Sequence, residues 1–228
     1  MQVAVKVEDL SKKYGKLLAL SHVTFSVAPG EVLGITGPSG SGKTTLLRCL
    51  ASLERPDSGS IEICANTGNA VPSNKRHPCH LQVGMAFQRA YLWPHMTVIQ
   101  NLMLAQTVVL GRPEQAARKR AAQLLEELHV SDKKDQLPQV LSGGQMQRVS
   151  IARMLAVDPD IILLDEVTAG LDDELVEGLQ GIIRHLASTG RTLIVVSHDA
   201  TFLGEIASKT AVLKNGCLTI DPNNPKIA

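Results

Sequence analysis

The stretch Gly37-Pro38-Ser39-Gly40-Ser41-Gly42-Lys43-Thr44-Thr45 decides how the rest of the sequence is interpreted. It has the pattern G-x-x-x-x-G-K-[ST] and lies between apolar runs at 32–35 and 46–50, which predicts a buried strand, a loop and a helix start. Glycines let the backbone N–H groups turn onto oxyanions, and the helix N-terminus adds partial positive charge. Lys43 supplies an ammonium group, and the Thr44 hydroxyl can ligate Mg²⁺. The sequence therefore predicts a triphosphate site in this loop, against the alternative of a turn that matches by accident.

Length and composition restrict the function further. A chain of 228 residues can bury one sizeable core, so one ATPase unit is expected. The 23 Lys and Arg nearly balance the 22 Asp and Glu, which disfavours a nucleic-acid partner. No apolar run approaches a membrane span, the first residues lack the apolar core of a signal peptide, and the four cysteines form no C-x-x-C pair. We expect a cytosolic chain with reduced thiols.

The region before the loop alternates apolar and polar residues over 2–31, which predicts a small antiparallel sheet. Tyr14 lies in one of its turns, where it could stack on an adenine ring or could simply cover the sheet edge. A short strand is predicted at 60–64, followed by an exposed loop at 65–80. The histidines and cysteine at 77–80 lack a companion pair at ligand spacing, so they do not predict a metal site.

The middle of the chain predicts a strand over 82–87 that ends at Gln88, then helices over 97–110 and 113–129. Phe87, Tyr91 and Trp93 lie close together in a chain with only six aromatic residues, so they form either local core or a docking surface.

A second helix start follows at Leu141-Ser142-Gly143-Gly144-Gln145, before a helix predicted over 146–156. Free N–H groups and a hydroxyl at this position would make a second anion-binding end. The alternative is an N-cap serine without a ligand, which leaves unexplained why two glycines occupy the first turn, where they cost stability.

Two buried strands are predicted at 161–164 and 192–197, and polar residues follow each of them. Asp165 and Glu166 follow the first, where ligands of open α/β sheets bind. Asp165 can hold Mg²⁺, and Glu166 can orient or deprotonate a water. For the acidic residues at 172–174, the main alternative to a role in the site is that they cap the helix that follows. His198 follows the second strand; a lone histidine is more often structural, but this position favours a role in the site.

Together these motifs resemble the ATPase subunit of ATP-binding-cassette transporters over about 3–220. The resemblance implies that residues 37–45 form the Walker A motif, that residues 161–165 form Walker B, and that Tyr14 stacks on adenine. Gln88 would be the Q-loop glutamine and would ligate the metal together with Thr44 and Asp165, while the signature motif would consist of Ser142, Gly143, Gly144 and Gln145. Glu166 would be the catalytic glutamate, Asp172 would lie in the D-loop, and His198 would be the switch histidine.

The same resemblance implies a fold and an assembly. The fold would be an α/β P-loop NTPase core of the RecA-like type with a mostly parallel sheet and an N-terminal antiparallel β lobe. A helical subdomain at about 91–156 would be inserted between core segments at about 1–90 and 157–228, all within one domain. Two chains would pair head to tail as a homodimer, with each ATP and its Mg²⁺ between the phosphate loop of one chain and the signature helix of the other.

Residues 86–98 and 173–176 are similar to importers for polar amino acids. This implies membrane permease subunits docked near 88–96, an external solute-binding protein that acts indirectly, and a peripheral position on the cytoplasmic face of the membrane. The chain departs from the family pattern at Val167, Ala169, Gly170 and Asp199. Three alternatives stay open, namely a soluble ABC-type switch in translation or DNA repair, an ABC subunit of a transporter for another substrate, and a regulatory module that binds ATP without hydrolysis.

Overall fold

The computed structural model describes residues 3–64, 83–168, 171 and 173–220. Within these residues, a first sheet contains three antiparallel strands in the order β2-β1-β4. These strands are β1 (Val5–Tyr14), β2 (Leu17–Val27) and β4 (Ser58–Ile63). The predicted antiparallel lobe is confirmed, and the strand expected at 60–64 joins it as the third member, because β1 offers it a free edge.

The second sheet contains six strands within the described ranges, in the order β5-β6-β7-β3-β8-β9. Its members are β3 (Val32–Thr36), β5 (Val83–Ala86), β6 (Ile161–Asp165), β7 (Thr192–Val196), β8 (Lys209–Lys214) and β9 (Cys217–Ile220). All neighbouring pairs are parallel except β8 and β9. The carboxyl ends of β5, β6, β7 and β3 therefore lie along one edge of the sheet.

Six α-helices accompany this sheet in the part of the chain that the structure describes. They are α1 (Lys43–Leu50), α2 (Val98–Val108), α3 (Glu114–Glu127), α4 (Gly143–Leu155), α5 (Asp173–Ser188) and α6 (Ala200–Ile206). Helices α2, α3 and α4 pack against one another, as expected for a helical subdomain, although its boundaries stay a prediction. Between residues 3 and 220, outside the gaps stated above, no helix is long and apolar enough to span a bilayer.

The start of α4 corrects one prediction. The sequence predicted a helix from Met146, whereas α4 begins at Gly143. Ser142 caps the helix and Gln145 completes a capping box, so the two glycines occupy the first turn and the helix is three residues longer at this end than predicted.

Strand β6 shows why a continuous apolar run was the correct signal for a buried strand. Ile162 and Leu164 belong to the core formed with the helices, while Ile161 and Leu163 belong to the core shared with α1 and the first sheet. A strand covered on both faces has no polar alternation. Its first polar side chain, Asp165, therefore appears where the strand reaches the sheet edge.

Candidate active site

The sheet edge brings together three parts of the chain that are far apart in sequence. Strands β6, β7 and β3 are neighbours, and they deliver Glu166, His198 and the phosphate loop to the same edge. The Thr44 hydroxyl donates to Asp165 Oδ1 at 3.2 Å, which joins the start of α1 to the end of β6. The predicted grouping of loop, carboxylates and histidine is therefore present in the structure.

The phosphate loop has a shape that only glycine permits at two of its positions. Gly37 and Gly42 have φ values of 153° and 106°. A Cβ atom on Gly37 would lie 2.1 Å from the Leu213 carbonyl oxygen, and one on Gly42 would lie 2.3 Å from the Ala19 carbonyl oxygen. Because both obstacles are backbone atoms, the loop is wedged between β8 and β2.

Lys43 lies at the mouth of this loop, and only 8% of its side chain is exposed. Its Nζ donates to the carbonyl oxygens of Gly37 at 2.8 Å and Pro38 at 3.2 Å, and it lies 3.6 Å from Glu166 Oε1. The ammonium group is therefore held beside the first turn of α1, whose leading N–H groups have no partner within the helix. Together these groups form a positive concavity suited to an anion.

Ser41 provides an independent sign of a ligand at this position. Its side-chain oxygen is buried and has no hydrogen-bond partner among the described residues. Since buried polar atoms are nearly always paired, a phosphate oxygen that accepts from this hydroxyl would remove the exception. The residues present therefore fit a bound polyphosphate.

Glu166 links the lysine to the histidine. Its side chain is 14% exposed. Its Oε2 accepts from the His198 backbone N–H at 3.1 Å and lies 2.8 Å from His198 Nδ1. The Glu166 backbone has φ of 49°, which is uncommon for a non-glycine residue, and its N–H donates to the Val196 carbonyl oxygen at 2.9 Å. This unusual backbone turns the carboxylate across the sheet edge instead of along the strand.

Asp165 and Thr44 form the part of the site that fits a metal ion. Burial raises the pKa of the Asp165 carboxyl, the nearby Glu166 charge adds to this, and the Thr44 hydrogen bond opposes it. A carboxylate beside a hydroxyl oxygen is the donor set that Mg²⁺ prefers. The third predicted ligand, Gln88, follows β5, and no hydrogen bond joins it to Thr44 or Asp165 in the part of the chain that the structure describes.

At the second helix start, Ser142 and Gln145 hydrogen-bond to each other. The Ser142 hydroxyl accepts from the Gln145 backbone N–H at 3.3 Å, and Gln145 Oε1 accepts from the Ser142 N–H at 2.9 Å. A Cβ atom on Gly144 would lie 2.4 Å from Leu175 Cδ1, so this glycine is explained by close packing of α4 on α5. Ser142 and Gly143 are exposed, and within residues 83–168 and 3–64 no hydrogen bond joins them to the phosphate loop of their own chain.

Tyr14 makes the contacts of a residue on the sheet edge. Its hydroxyl donates to a carboxylate oxygen of Glu54, and Lys12 Nζ lies 5.5 Å from the centre of its ring. The side chain remains substantially exposed. Adenine stacking on Tyr14 stays a prediction.

The aromatic cluster forms a surface rather than local core. Tyr91 is 61% exposed and Trp93 is 49% exposed. They line a groove of about 880 Å³ between β5, α2 and α4, together with exposed Val108 and Val109. The residues alone left core and docking surface as equal alternatives, the family resemblance favoured docking, and the exposure of Tyr91 and Trp93 agrees with a surface.

Several residues predicted from the sequence lie outside the described part of the chain. They are Asp172, Ala169, Gly170, Gln82 and the loop at 65–80 with its histidines.

Sequence reasoning also missed two polar side chains. Asn101 is buried and bonded to the Trp93–Thr97 turn, and Arg153 binds the carbonyl oxygens of Ala90 and Tyr91. Neither belongs to a short motif, so no local pattern could have identified them.

Comparison with known proteins identifies the family. The ABC transporter family model matches residues 20–169, which include the phosphate loop, the Ser142 helix start and both carboxylates. The chain belongs to the ABC transporter family. It is an ATPase of the ABC type, as the resemblance implied.

The relatives of this ABC ATPase include amino acid transport proteins. It is 41% identical over 222 residues to the arginine transport ATP-binding protein ArtM of Bacillus subtilis, covering 97% of this chain and 92% of that protein. It is 39% identical over 237 residues to the L-cystine transport system ATP-binding protein TcyN of Escherichia coli, covering 98% and 95%.

Solved structures confirm the predicted fold. An ATP-binding cassette determined as a dimer in a post-hydrolysis state with ADP and Pi is 31% identical, with a TM-score of 0.84, and the alignment covers 95% of this chain and 97% of that one. A dimeric bacterial ABC transporter cassette aligns with a TM-score of 0.83.

Proposed function

We propose that this ABC ATPase drives an amino acid importer, coupling MgATP binding and hydrolysis to movement of membrane permease subunits. The observation that carries the catalytic part is the arrangement at the sheet edge, where one carboxylate, Glu166, lies between Lys43 and His198. The transport part is supported by relatives that are named for arginine and L-cystine transport.

The proposed hydrolysis uses these residues for positioning and charge. Lys43 and the N–H groups that begin α1 hold the β- and γ-phosphates, and Lys43 exchanges its contact with Glu166 for a phosphate oxygen. Glu166 then accepts a proton from a water that attacks the γ-phosphorus in line, while the bond to the bridging oxygen breaks and ADP keeps its electrons. His198 fixes Glu166 through its backbone N–H and Nδ1. Mg²⁺, held by Thr44 and Asp165, would neutralise charge on the phosphate oxygens.

The site is completed by a second chain in this proposal. The Ser142 hydroxyl accepts a hydrogen bond within its own helix start, and its own O–H stays available to donate to a phosphate oxygen. Both Ser142 and Gly143 are exposed, so a partner's nucleotide can approach them. The dimeric cassettes with the same fold support a head-to-tail homodimer.

The docking surface of the permease would be the groove beside Tyr91 and Trp93. A large exposed apolar surface on a chain with few aromatic residues is typical of a protein interface. We place the chain peripherally at the cytoplasmic face of the membrane, with the solute-binding protein acting through the permease. Copurification with an integral membrane protein is the expected result, and recovery with ribosomes or DNA would contradict the transporter assignment.

Substitution of Glu166 tests the catalytic proposal. Glu166→Gln should lower the rate of phosphate release by about 100-fold or more, because the amide cannot accept the proton, while ATP binding persists and the dimer accumulates. Phosphate release and light scattering measure these two effects. Glu177→Gln on the exposed face of α5 is a matched control. A Glu166→Gln chain that hydrolyses at the wild-type rate would remove Glu166 from this role.

A further inference from the structure

Helix α4 connects the candidate site to the groove. It begins next to Ser142, and its last turn lies against residues 87–97, which we call the docking segment. At 13 residues the helix is about 20 Å long, so its two ends can contact two different partners.

Two side chains of α4 bind the docking segment. The Arg153 guanidinium donates to two consecutive carbonyl oxygens, that of Tyr91 at 2.8 Å and that of Ala90 at 3.2 Å. Earlier in the same helix, Gln147 Nε2 donates to the Phe87 carbonyl oxygen at 3.3 Å. The planar guanidinium fork fixes both direction and distance, which a single donor would not do.

The Arg153 contacts stabilise an unusual backbone. Tyr91 has φ of 43°, which a bulky residue adopts only when its surroundings impose it. Burial lowers the pKa of the Arg153 guanidinium, and no carboxylate forms an ion pair with it among the described residues. A half-buried cation with carbonyl partners alone suits a structural anchor for this segment.

The docking segment is also fixed at its other end and at its start. Buried Asn101 of α2 accepts from the Trp93 N–H at 2.8 Å and donates to the Trp93, Met96 and Thr97 carbonyl oxygens. Where β5 leads into the segment, Gly84 lacks a side chain, and a Cβ there would lie 2.6 Å from Met154 Sδ of α4. Trp93 is therefore bonded to α2 through Asn101, and it lies two residues after Tyr91, which Arg153 joins to α4, so it should respond when α4 moves.

We propose that Arg153 is a positioning residue that transmits movement between the Ser142 end of α4 and the docking segment. This inference rests on the proposed function, because the Ser142 end meets a nucleotide only in the head-to-tail dimer. Binding of ATP displaces α4, and the Arg153 fork passes the displacement to Tyr91 and Trp93, where a permease subunit would receive it.

The sequence contains a single tryptophan, Trp93, which serves as the reporter. In the Glu166→Gln chain, MgATP should change the emission of Trp93 as the dimer forms. Adding Arg153→Met should abolish that change while dimer formation persists, and Arg153→Lys should restore part of it, since an ammonium group reaches one carbonyl oxygen. Arg184→Met, which removes an exposed arginine bonded to Glu205 on the far side of α5, should leave the emission change intact.

The outcomes separate this inference from the function on which it rests. The inference is overturned if Arg153→Met or Arg153→Lys shows the same emission change as the Glu166→Gln chain that carries Arg153. It is also overturned if the Glu166→Gln dimer forms without any change in the emission of Trp93. Hydrolysis and copurification with a membrane protein would then still support the proposed function. If Arg153→Met does not fold by circular dichroism, the lysine variant decides. Absence of ATP binding by the wild-type chain would instead contradict the proposed function.

Discussion

The starts of α1 and α4 look alike in sequence and differ in how their backbone is satisfied. Both contain glycines next to a Ser or Thr, and both were predicted to bind anions. Among the described residues, α1 begins after Gly42 without a side-chain cap, whereas α4 begins after Ser142 with a complete capping box. The first leaves N–H groups for a ligand of its own chain, and the second is stable before a ligand arrives. An exposed helix end that waits for a partner's nucleotide needs that independence.

The glycines of the two helix starts also differ in what surrounds them. Gly37 and Gly42 face backbone carbonyl oxygens, which cannot rotate away, while Gly144 faces the flexible end of Leu175. A Cβ atom on Gly143 would meet no atom of the described residues within 4 Å. Substitutions of Gly37 and Gly42 should therefore be tolerated much less than substitutions of Gly143 and Gly144.

The largest effect is expected at Gly37. Gly37→Ala should lower the free energy of unfolding by roughly 3 kcal/mol or more and prevent ATP binding, because the new methyl group overlaps the Leu213 carbonyl. Gly40→Ala is the matched control, since Gly40 has φ of 76° but open space around it within the described structure, and it should cost only about 1 kcal/mol. Urea unfolding and ATP titration compare the two; equal losses would contradict the steric explanation.

Ser142→Ala tests the second helix start. Loss of the cap should lower the free energy of unfolding by about 1 kcal/mol and should also weaken ATP-dependent dimerisation. Thr97→Ala removes the same capping box from α2, where Thr97 pairs with Gln100, so it should cost a similar free energy without affecting the dimer. Thermal unfolding and light scattering give both readings. Dimerisation that falls equally in the two variants would show that Ser142 acts only as a cap.

The two helix starts differ in charge as well, because Thr44 of α1 donates a hydrogen bond to the buried carboxyl of Asp165, whereas the side chains of Ser142 and Gln145 bond only to each other's backbone N–H groups among the described residues. Burial raises the folded-state pKa of Asp165, so the protonated form favours folding. As the pH rises above the unfolded value of about 4 and through the folded pKa, this contribution to stability should be lost. Without Mg²⁺, Asp165→Asn should therefore gain stability relative to the wild type as the pH rises. Urea titrations at several pH values measure the difference in the free energy of unfolding between the two chains. A difference that does not depend on pH would contradict the role given to burial of Asp165.

The smallest effects should come from α4 and α5. Gly144→Ala should lower the free energy of unfolding by about 1 kcal/mol, because Leu175 must shift. Gly181→Ala in the exposed middle of α5 should raise the free energy of unfolding by about 0.5–1 kcal/mol. Opposite changes in melting temperature are expected. A stabilised Gly144→Ala chain would show that the packing explanation for this glycine is wrong.

Short-range patterns predicted much of this molecule. The apolar runs of β3, β6 and β7, the loop at 37–45 and the polar residues that follow each strand all lie where periodicity placed them. The remaining features depend on contacts between distant residues. Nothing near Gly144 in the sequence indicates Leu175, nothing near Tyr91 indicates Arg153, and exposure of the aromatic cluster depends on how α2 and α4 leave a groove. The capping box at Ser142 and Gln145 has a local signature, but the same residues also suit ligand binding, so the pattern alone does not fix where the helix begins.

The strand order of the large sheet has a consequence for biogenesis. Because β7 lies between β6 and β3, the pocket cannot form until a strand made late in synthesis has inserted between two earlier ones. Nascent or partly denatured chains should then fail to retain ATP, while the nucleotide should shift the equilibrium toward molecules that have completed this insertion. Cellular ATP would thus act as a chaperone-like ligand that favours correct assembly of the sheet.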